Sequence, residues 1–540
     1  MARKLLLALL LASGVCRAQV VLPELYRRAL EDGVANGAYP AVAVGLIEGK
    51  EQGTWFFGHP APTGENAFEI GAVSEIFAGL VLAQDAVAGK LSLRDSVRKL
   101  LPSDAVLGDA RLGEVTLEEL ITHRSGLPAI PPNLFPADAD DPYADYGEAQ
   151  LLGLLANYHP ASFEKTSGYS PLDVGLLTLL LAKRHGQNAP ELIKAQVFAP
   201  LKMTHATFVD PEGLLAGSAL GLGAPHWHYS SLIGAAGVRA TLPDLLAFLR
   251  QNLSPDSNAL RSALLLARQP RAQGEIDGVG LGWNVREPKD DAHGWPLVWR
   301  ASETGGFSAF IGFRTDRQRA LVLLSNTAGD LATLGLSWLN DEAPPPAPRG
   351  ARPPALSTLV GYPGLYRITN GNELTVRASG AGLTLQIAGQ PPWRLRGYED
   401  DAFVGNGGAV GVSFMREIDH ITGLVLRLGG EHISAERLSA RAPRLERSSV
   451  AVEAAELARL TGTYQLDANT LIRIDAVPGA LTLQMTGSAR SLIAPYAPDR
   501  FADADNSYDV TFQRDKSGAP VGLVVNLAGV ERRAKLIHWR

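Results

Sequence analysis

Acyl transfer by a serine needs a hydroxyl with a base one helical turn away. The pattern S-x-x-K supplies both, because residues three apart share a helix face. The chain holds the pattern twice, at Ser96 with Lys99 and at Ser162 with Lys165. Ser96 follows Leu93-Arg94-Asp95 in a charged stretch that reads as a solvated face, and Ser162 falls in a segment that reads as loop. A four-residue pattern this loose arises by chance in a chain of 540 residues, so neither pair marks a site. Metal chemistry is the second class to weigh. His226 and His228, in Pro225-His226-Trp227-His228-Tyr229, have the i, i+2 spacing that faces one way on a strand. Without a clear third ligand they read as a loop or rim feature, and neither metal nor cofactor is expected.

Any such residue needs elements to hold it. Between residues 24 and 340 the pattern mixes α and β. Ala41 to Ile47, followed by Gly49, reads as a strand and turn. Ser74 to Ala88 is apolar at helical spacing and reads as a buried helix. Leu321 to Leu324 is a short apolar strand. Strands at both ends with helices between predict one sheet built from the two chain ends, with a helical insert. Ala343-Pro344-Pro345-Pro346-Ala347-Pro348 and Pro353-Pro354 then predict a semi-rigid linker over 341–355.

Beyond the linker come short alternating strands and Gly-rich turns, and the segment repeats. Gly364-Leu365-Tyr366 returns 98 residues later as Gly462-Thr463-Tyr464, and Leu383-Thr384-Leu385-Gln386 returns at the same shift as Leu481-Thr482-Leu483-Gln484. Phe414 matches Phe512, and Gly423-Leu424-Val425 matches Gly522-Leu523-Val524 one residue later. A period this long means tandem domains, over 356–440 and 452–540, each a small antiparallel barrel that closes its own edges. Such barrels read first as a rigid appendage filled by side chains.

Composition bounds the function. Of the 540 residues 46% are hydrophobic and 20% charged, with net charge −6 from 50 basic and 56 acidic residues. That balance builds no basic face for a phosphate backbone, so nucleic acid is not an expected partner. Arg3 and Lys4 precede the apolar run Leu5 to Ala12, and Cys16-Arg17-Ala18 offers a small residue before Gln19. Residues 1–18 are therefore expected to be a signal peptide, with the product exported to the periplasm or beyond. Cys16 is the only cysteine, so the mature chain can form no internal disulfide. Lipidation at Cys16 would call for a leucine where Ser13 stands, which points to a soluble product. No later segment is apolar enough for a membrane helix.

Several strings in 24–340 resemble the serine β-lactamase and penicillin-binding-protein family, which includes class C β-lactamases, DD-peptidases and esterases. They are Phe68-Glu69-Ile70-Gly71, Gly89-Lys90-Leu91-Ser92-Leu93, Thr122-His123-Arg124-Ser125-Gly126-Leu127-Pro128, Gly282-Trp283, Thr304-Gly305-Gly306-Phe307 and Leu324-Ser325-Asn326, in the family's order. The tail repeats resemble the lipocalin-like domains that follow some of these hydrolases. The resemblance implies an α+β fold, an antiparallel sheet with a helical subdomain, followed by the two barrels. It also implies acyl transfer by a Ser at the start of a buried helix, with a Lys one turn later. A Tyr in Y-x-N and a Lys or His before Thr-Gly on an edge strand assist, and backbone N–H groups of the Ser and of that strand form the oxyanion hole.

Carried onto this chain, the pattern meets substitutions. Gly-Ser-Val-Thr-Lys becomes Gly71-Ala72-Val73-Ser74-Glu75, so the nucleophile position holds Ala72 and the base position Glu75. Y-x-N becomes Tyr169-Ser170-Pro171, keeping Tyr169 and losing the amide at Pro171. The strand motif reads Glu303-Thr304-Gly305, with Gly306 after it, a carboxylate in place of a cation. Of the remaining hydroxyls, Ser74 lies about 200° around the helix from the family position, and Ser302 precedes the strand motif.

Three readings stay open. The first is a catalytically degenerate binding module whose old cleft takes a peptide, wall fragment or small molecule, with Thr304, Gly305 and Gly306 lining it. The second is an active esterase or amidase using a displaced nucleophile. The third is carboxylate chemistry at Glu75, Tyr169 and Glu303, where two carboxylates a few ångströms apart are expected to raise one pKa.

Overall fold

A computed structural model describes residues 20–538, apart from 160–167, 256–259, 289–293, 406–409, 429–430, 443–446 and the positions 220, 275, 295, 349, 351, 353, 370, 380–381 and 506. Residues 1–19, with the expected export signal and Cys16, lie outside the described residues, as do Ser162 and Lys165.

The first domain is built on an eight-stranded sheet whose strands come from both ends of the domain. They are β1 (Ala41–Glu48), β2 (Glu51–Gly58), β3 (Ala272–Gln273), β4 (Gly278–Val279), β5 (Asn284–Arg286), β6 (Leu297–Glu303), β7 (Ser308–Arg314) and β8 (Arg319–Ser325), in the order β2-β1-β8-β7-β6-β5-β4-β3. N-terminal β1 pairs antiparallel with β8, Val44 opposite Leu323, so the two chain ends do share one sheet. Both faces are covered, which explains the unbroken apolar run of β1. Alternate residues enter different cores. Ala43, Ile47, Ile311, Val322 and Leu324 join the core beneath the helices. Val42, Val44, Leu46, Phe310, Leu321 and Leu323 join a second core on the other face.

The sheet and the site are packed by helices that include α1 (Glu24–Ala35), α2 (Glu75–Val87), α3 (Pro171–His185), α4 (Leu242–Leu253) and α5 (Ala332–Leu339). Helix α2 is buried almost all round, as its composition predicts. Helix α4 lies on the sheet at Gly45, where a Cβ would come within 2.8 Å of Leu246. Helix α3 opens with Pro171 at a position where no N–H is needed and closes on left-handed Gly186, with Lys183, Arg184 and His185 in its last turn. His185 reaches Asp85 of α2 at 2.7 Å and ties the two helices together. On the opposite face Tyr26 of α1 stacks on Trp338 of α5, centroids 4.2 Å apart. The proline-rich segment follows the end of α1, where Asn36 donates to the Pro348 carbonyl at 2.8 Å.

Each tail repeat is an eight-stranded closed barrel, the first from Gly364–Ile368 to Glu431–Ser439 and the second from Gly462–Asp467 to Val530–Ile537. First and last strands pair in both, Leu365 with Ser439 and Thr463 with Ile537, so neither barrel leaves an edge. Side chains such as Tyr366, Leu385 and Phe403, and Tyr464, Leu483 and Phe501, fill the interiors. The duplication extends to individual bonds. Tyr366 donates to the Tyr362 carbonyl at 2.6 Å and Tyr464 to the Leu460 carbonyl at 2.8 Å. Phe403 meets Phe414 edge-on at 5.5 Å, as Phe501 meets Phe512.

One hairpin is used the same way in both copies. In the first barrel Gln386 donates to the Ser507 carbonyl, and the Gly389 N–H to the Leu527 carbonyl, both in the second barrel. In the second, Gln484 donates to the Pro136 carbonyl at 2.8 Å and the Gly487 N–H to the Leu134 carbonyl at 2.8 Å, while Thr486 donates to the Pro132 carbonyl at 2.5 Å. Three alternate carbonyls of a proline-rich segment of the first domain are thereby satisfied by the second barrel. Replacing Tyr464 by Phe removes one buried hydrogen bond without a cavity. It is expected to lower stability by about 1 kcal/mol in urea unfolding, with Tyr366→Phe giving a similar loss.

Candidate functional site

The site lies where the turn Gly71–Ser74, the start of α2, the strand β6 and the segment before α3 meet. Apolar packing of α2 fixes the direction of its first turn, and Glu75 there is fully buried. An acidic first turn is favourable to the helix dipole, yet a buried carboxylate still needs a cation. Arg300 of β6 supplies it: its Nη2 holds Glu75 Oε2 in a short ion pair, and it is itself only 8% exposed. His123 adds a second contact, donating from Nε2 to Glu75 Oε2 at 3.2 Å. Arg300 and His123 together hold the Glu75 pKa below its ordinary value, outweighing burial, the largest single influence and one that acts in the opposite direction.

Behind His123 the network continues. Its Nδ1 faces Ser170, whose N–H lies at 3.3 Å, and Asp173 lies at 3.8 Å. Asp173 accepts a short bond from the Ser125 hydroxyl and is fully enclosed. Burial pushes its pKa up to about 7, against the pull of His123 and the Ser125 hydroxyl. His123 adopts φ 54°, a left-handed conformation that costs a non-glycine residue about 1 kcal/mol. Gly168 fixes it by donating to the His123 carbonyl at 3.1 Å.

Tyr169 forms the outer wall. About half of it (49%) is exposed, while its ring lies 4.8 Å from that of His123 and 5.8 Å from the Arg300 guanidinium. Burial of the hydroxyl end and the nearby Glu75 charge raise its pKa well above the ordinary tyrosine value, so this hydroxyl keeps its proton.

The Ala72 position is closed differently. The Ala72 N–H donates to Ser302 Oγ at 2.6 Å, and the Arg300 Nε–H reaches the Ala72 carbonyl at 3.4 Å. Gly71, at φ 48°, makes this approach feasible, since a Cβ there would lie 2.2 Å from Ser302 Oγ. Ser74 points away from the cleft, fully buried, its Oγ accepting the Val238 N–H at 3.2 Å.

Glu303 is not where the sequence pattern places it. Side chains of β6 alternate: Val298 belongs to the core beneath the helices and Arg300 and Ser302 follow it, whereas Trp299 and Ala301 belong to the opposite core. Glu303 is an odd number of residues from Arg300, so it shares the face of Ala301. Its pKa is raised by surrounding protein and then by Asp330, not by Glu75. The expected coupling of Glu75 with Glu303 is therefore overturned. The strand cation stands three residues earlier, at Arg300.

The other candidates sort plainly. Pro171 begins α3 and Ser170 donates to the Pro128 carbonyl at 2.8 Å. Thr304 is buried and donates its N–H to the Phe307 carbonyl, Gly305 lies against the Trp227 indole, and Gly306 against Gly217. His226 turns to Glu69 at 3.1 Å, whereas His228 lies between Asp141 at 2.6 Å and Asp210 at 3.0 Å, so the two do not share a site. Among the described residues no group of three His, Cys, Asp or Glu is placed to hold a metal. Lys99 pairs with Asp95 at the surface, and Ser96 precedes a short helix outside the cleft. Arg300, His123 and Asp173 as site residues escaped the sequence reading. A lone arginine between Trp299 and Ala301 in an apolar strand was the available signal, since a buried charge needs a buried partner.

A helical turn here faces an antiparallel strand, with Tyr169 and Arg300 beside it. A family model described as Beta-lactamase matches residues 26–341, and the chain belongs to that family. The beta-lactamase of Escherichia coli strain K12 is 26% identical over 346 residues, covering 56% of this chain and 88% of that protein. The D-alanyl-D-alanine-carboxypeptidase/endopeptidase AmpH of the same strain is 25% identical over 294 residues, covering 50% and 75%. A crystal structure of a class C beta lactamase from Rhodobacter sphaeroides aligns with a TM-score of 0.49 at 19% identity, covering 57% of this chain and 95% of that one.

Replacing Arg300 by Gln strands the Glu75 charge and is expected to cost about 3–5 kcal/mol in denaturant unfolding. Adding Glu75→Gln should recover much of that loss. Asp173 gives a pH test. Its folded pKa is raised from 3.8 to about 7, so the folded state holds a proton the unfolded state has released, and stability falls as pH rises through that window. Asp173→Asn is expected to gain on the wild type between pH 4 and 8, by up to about 4 kcal/mol, in paired unfolding curves.

Proposed function

We propose that the protein is a catalytically silent member of the family that serves as an exported binding module of the cell envelope. The carrying observation is the state of the base position. Glu75 there is an anion buried under Arg300 and His123, so the group that would collect a serine proton is occupied. Ala72 has no nucleophilic atom, and Tyr169 keeps its proton. The sequence at 1–18 supports the envelope address, and no helix of the described residues is long and apolar enough to cross a membrane.

The cleft still offers a binding edge. Strand β6 pairs with β5 only over Leu297–Trp299, and over 300–303 its sole strand partner among the described residues is β7. An extended peptide or wall fragment can add main-chain hydrogen bonds along that edge, with Tyr169 beside it as an aromatic wall.

The competing hydrolase reading has one geometric support, the half-buried Ser302 hydroxyl at the Ala72 N–H. Treating the purified protein with a fluorophosphonate or a fluorescent penicillin separates the two. No covalent label is expected. Stoichiometric label that disappears with Ser302→Ala would replace the binding-module reading with a displaced-nucleophile hydrolase.

A further inference from the structure

We infer that Ser302 is a built-in occupant of the oxyanion position, excluding ligand oxygens from the Ala72 N–H and so restricting what the cleft can take. The inference rests on the silent-cleft reading and adds to it a second barrier, independent of the missing nucleophile.

A backbone N–H aimed into a cleft stabilises a carbonyl or tetrahedral oxygen only if it is free to point at that oxygen. Here the Ala72 N–H is spent on Ser302 Oγ at 2.6 Å, just under the usual range for an N–H to oxygen bond. The contact is built into the chain on both sides. On the strand, Ser302 is brought to this face by the same alternation that brings Arg300, and its neighbours Ala301 and Glu303 point elsewhere. On the turn, only a residue without Cβ at position 71 admits the hydroxyl. Arg300 takes the carbonyl of the same residue, so both polar groups of Ala72 belong to β6. A ligand oxygen must therefore displace a hydrogen bond that the protein already makes to itself, and it gains little by doing so. Removing the hydroxyl should turn the position into a small-oxyanion site at the freed Ala72 N–H.

The test uses the full chain labelled with ¹⁵N-alanine and deuterated, the Ala72 amide being identified by its absence from Ala72→Ser. In the wild type this amide is expected to stay unmoved on titration with methylphosphonate. In Ser302→Ala it should shift upfield, as a lost hydrogen bond requires, and then respond to methylphosphonate in a saturable way, with Ser302→Gly as the second variant. Three results would each overturn the inference: a wild-type amide that titrates with methylphosphonate, an unchanged amide in both variants, or a shifted amide that ignores the anion. Fluorophosphonate labelling of the wild type is a separate measurement, so failure of the silent-cleft reading is seen independently.

Discussion

The buried pair of Glu75 and Arg300 is the constraint around which the cleft is organised. It fastens the first turn of the central helix to the middle of a strand contributed from more than two hundred residues away. Desolvating two ions is costly, and their attraction offsets that cost only with good geometry and further bonds to the remaining oxygens. His123 adds a second bond to the same oxygen, Oε2, that Arg300 holds, and its left-handed backbone is part of the cost of placing it. Tyr169 then closes the top over both the imidazole and the guanidinium. A cleft held this way is a cross-link between helix and sheet.

The scaffold was legible in the sequence because it rests on local patterns. The apolar run of β1, the Ala- and Leu-rich α2 and the 98-residue repeat each specify their own elements, and the strings around Phe68 and Thr304 specify how those elements join. The cleft was legible at Ala72, Glu75 and Tyr169, which lie in or beside such strings. It was misread at β6, because a motif match at Glu303-Thr304-Gly305 ignores the two-residue alternation that decides which side chains reach the helix. Arg300, three residues earlier, meets that requirement and Glu303 does not. His123 and Asp173 were invisible as partners because their proximity to Glu75 depends on three segments meeting, and no spacing within one segment records it.

Charge reversal at position 75 therefore has a concrete meaning. With a lysine there, facing Arg300 of β6, two cations would repel in an enclosed space; with Glu75 they attract. The glutamate and the strand arginine neutralise one another inside the cleft. At Gly71 and Ser302 the absence of one side chain admits the other. Both contacts tie the start of α2 and the turn before it to β6.

The placement of the barrels has a consequence for the order in which the protein becomes complete. The first barrel follows the first domain along the chain, but the second barrel's hairpin satisfies the carbonyls of Pro132, Leu134 and Pro136. Connectivity and docking thus run in opposite directions and close a ring. During synthesis that proline-rich segment emerges hundreds of residues before the hairpin that meets it, and domains fold in the order they appear. Before that hairpin docks, only water is left to satisfy those carbonyls. The segment leads back through Pro128 and Ser170 to His123. The wall of the cleft is therefore braced by the second barrel, and a product truncated before that barrel carries the family's core without this brace.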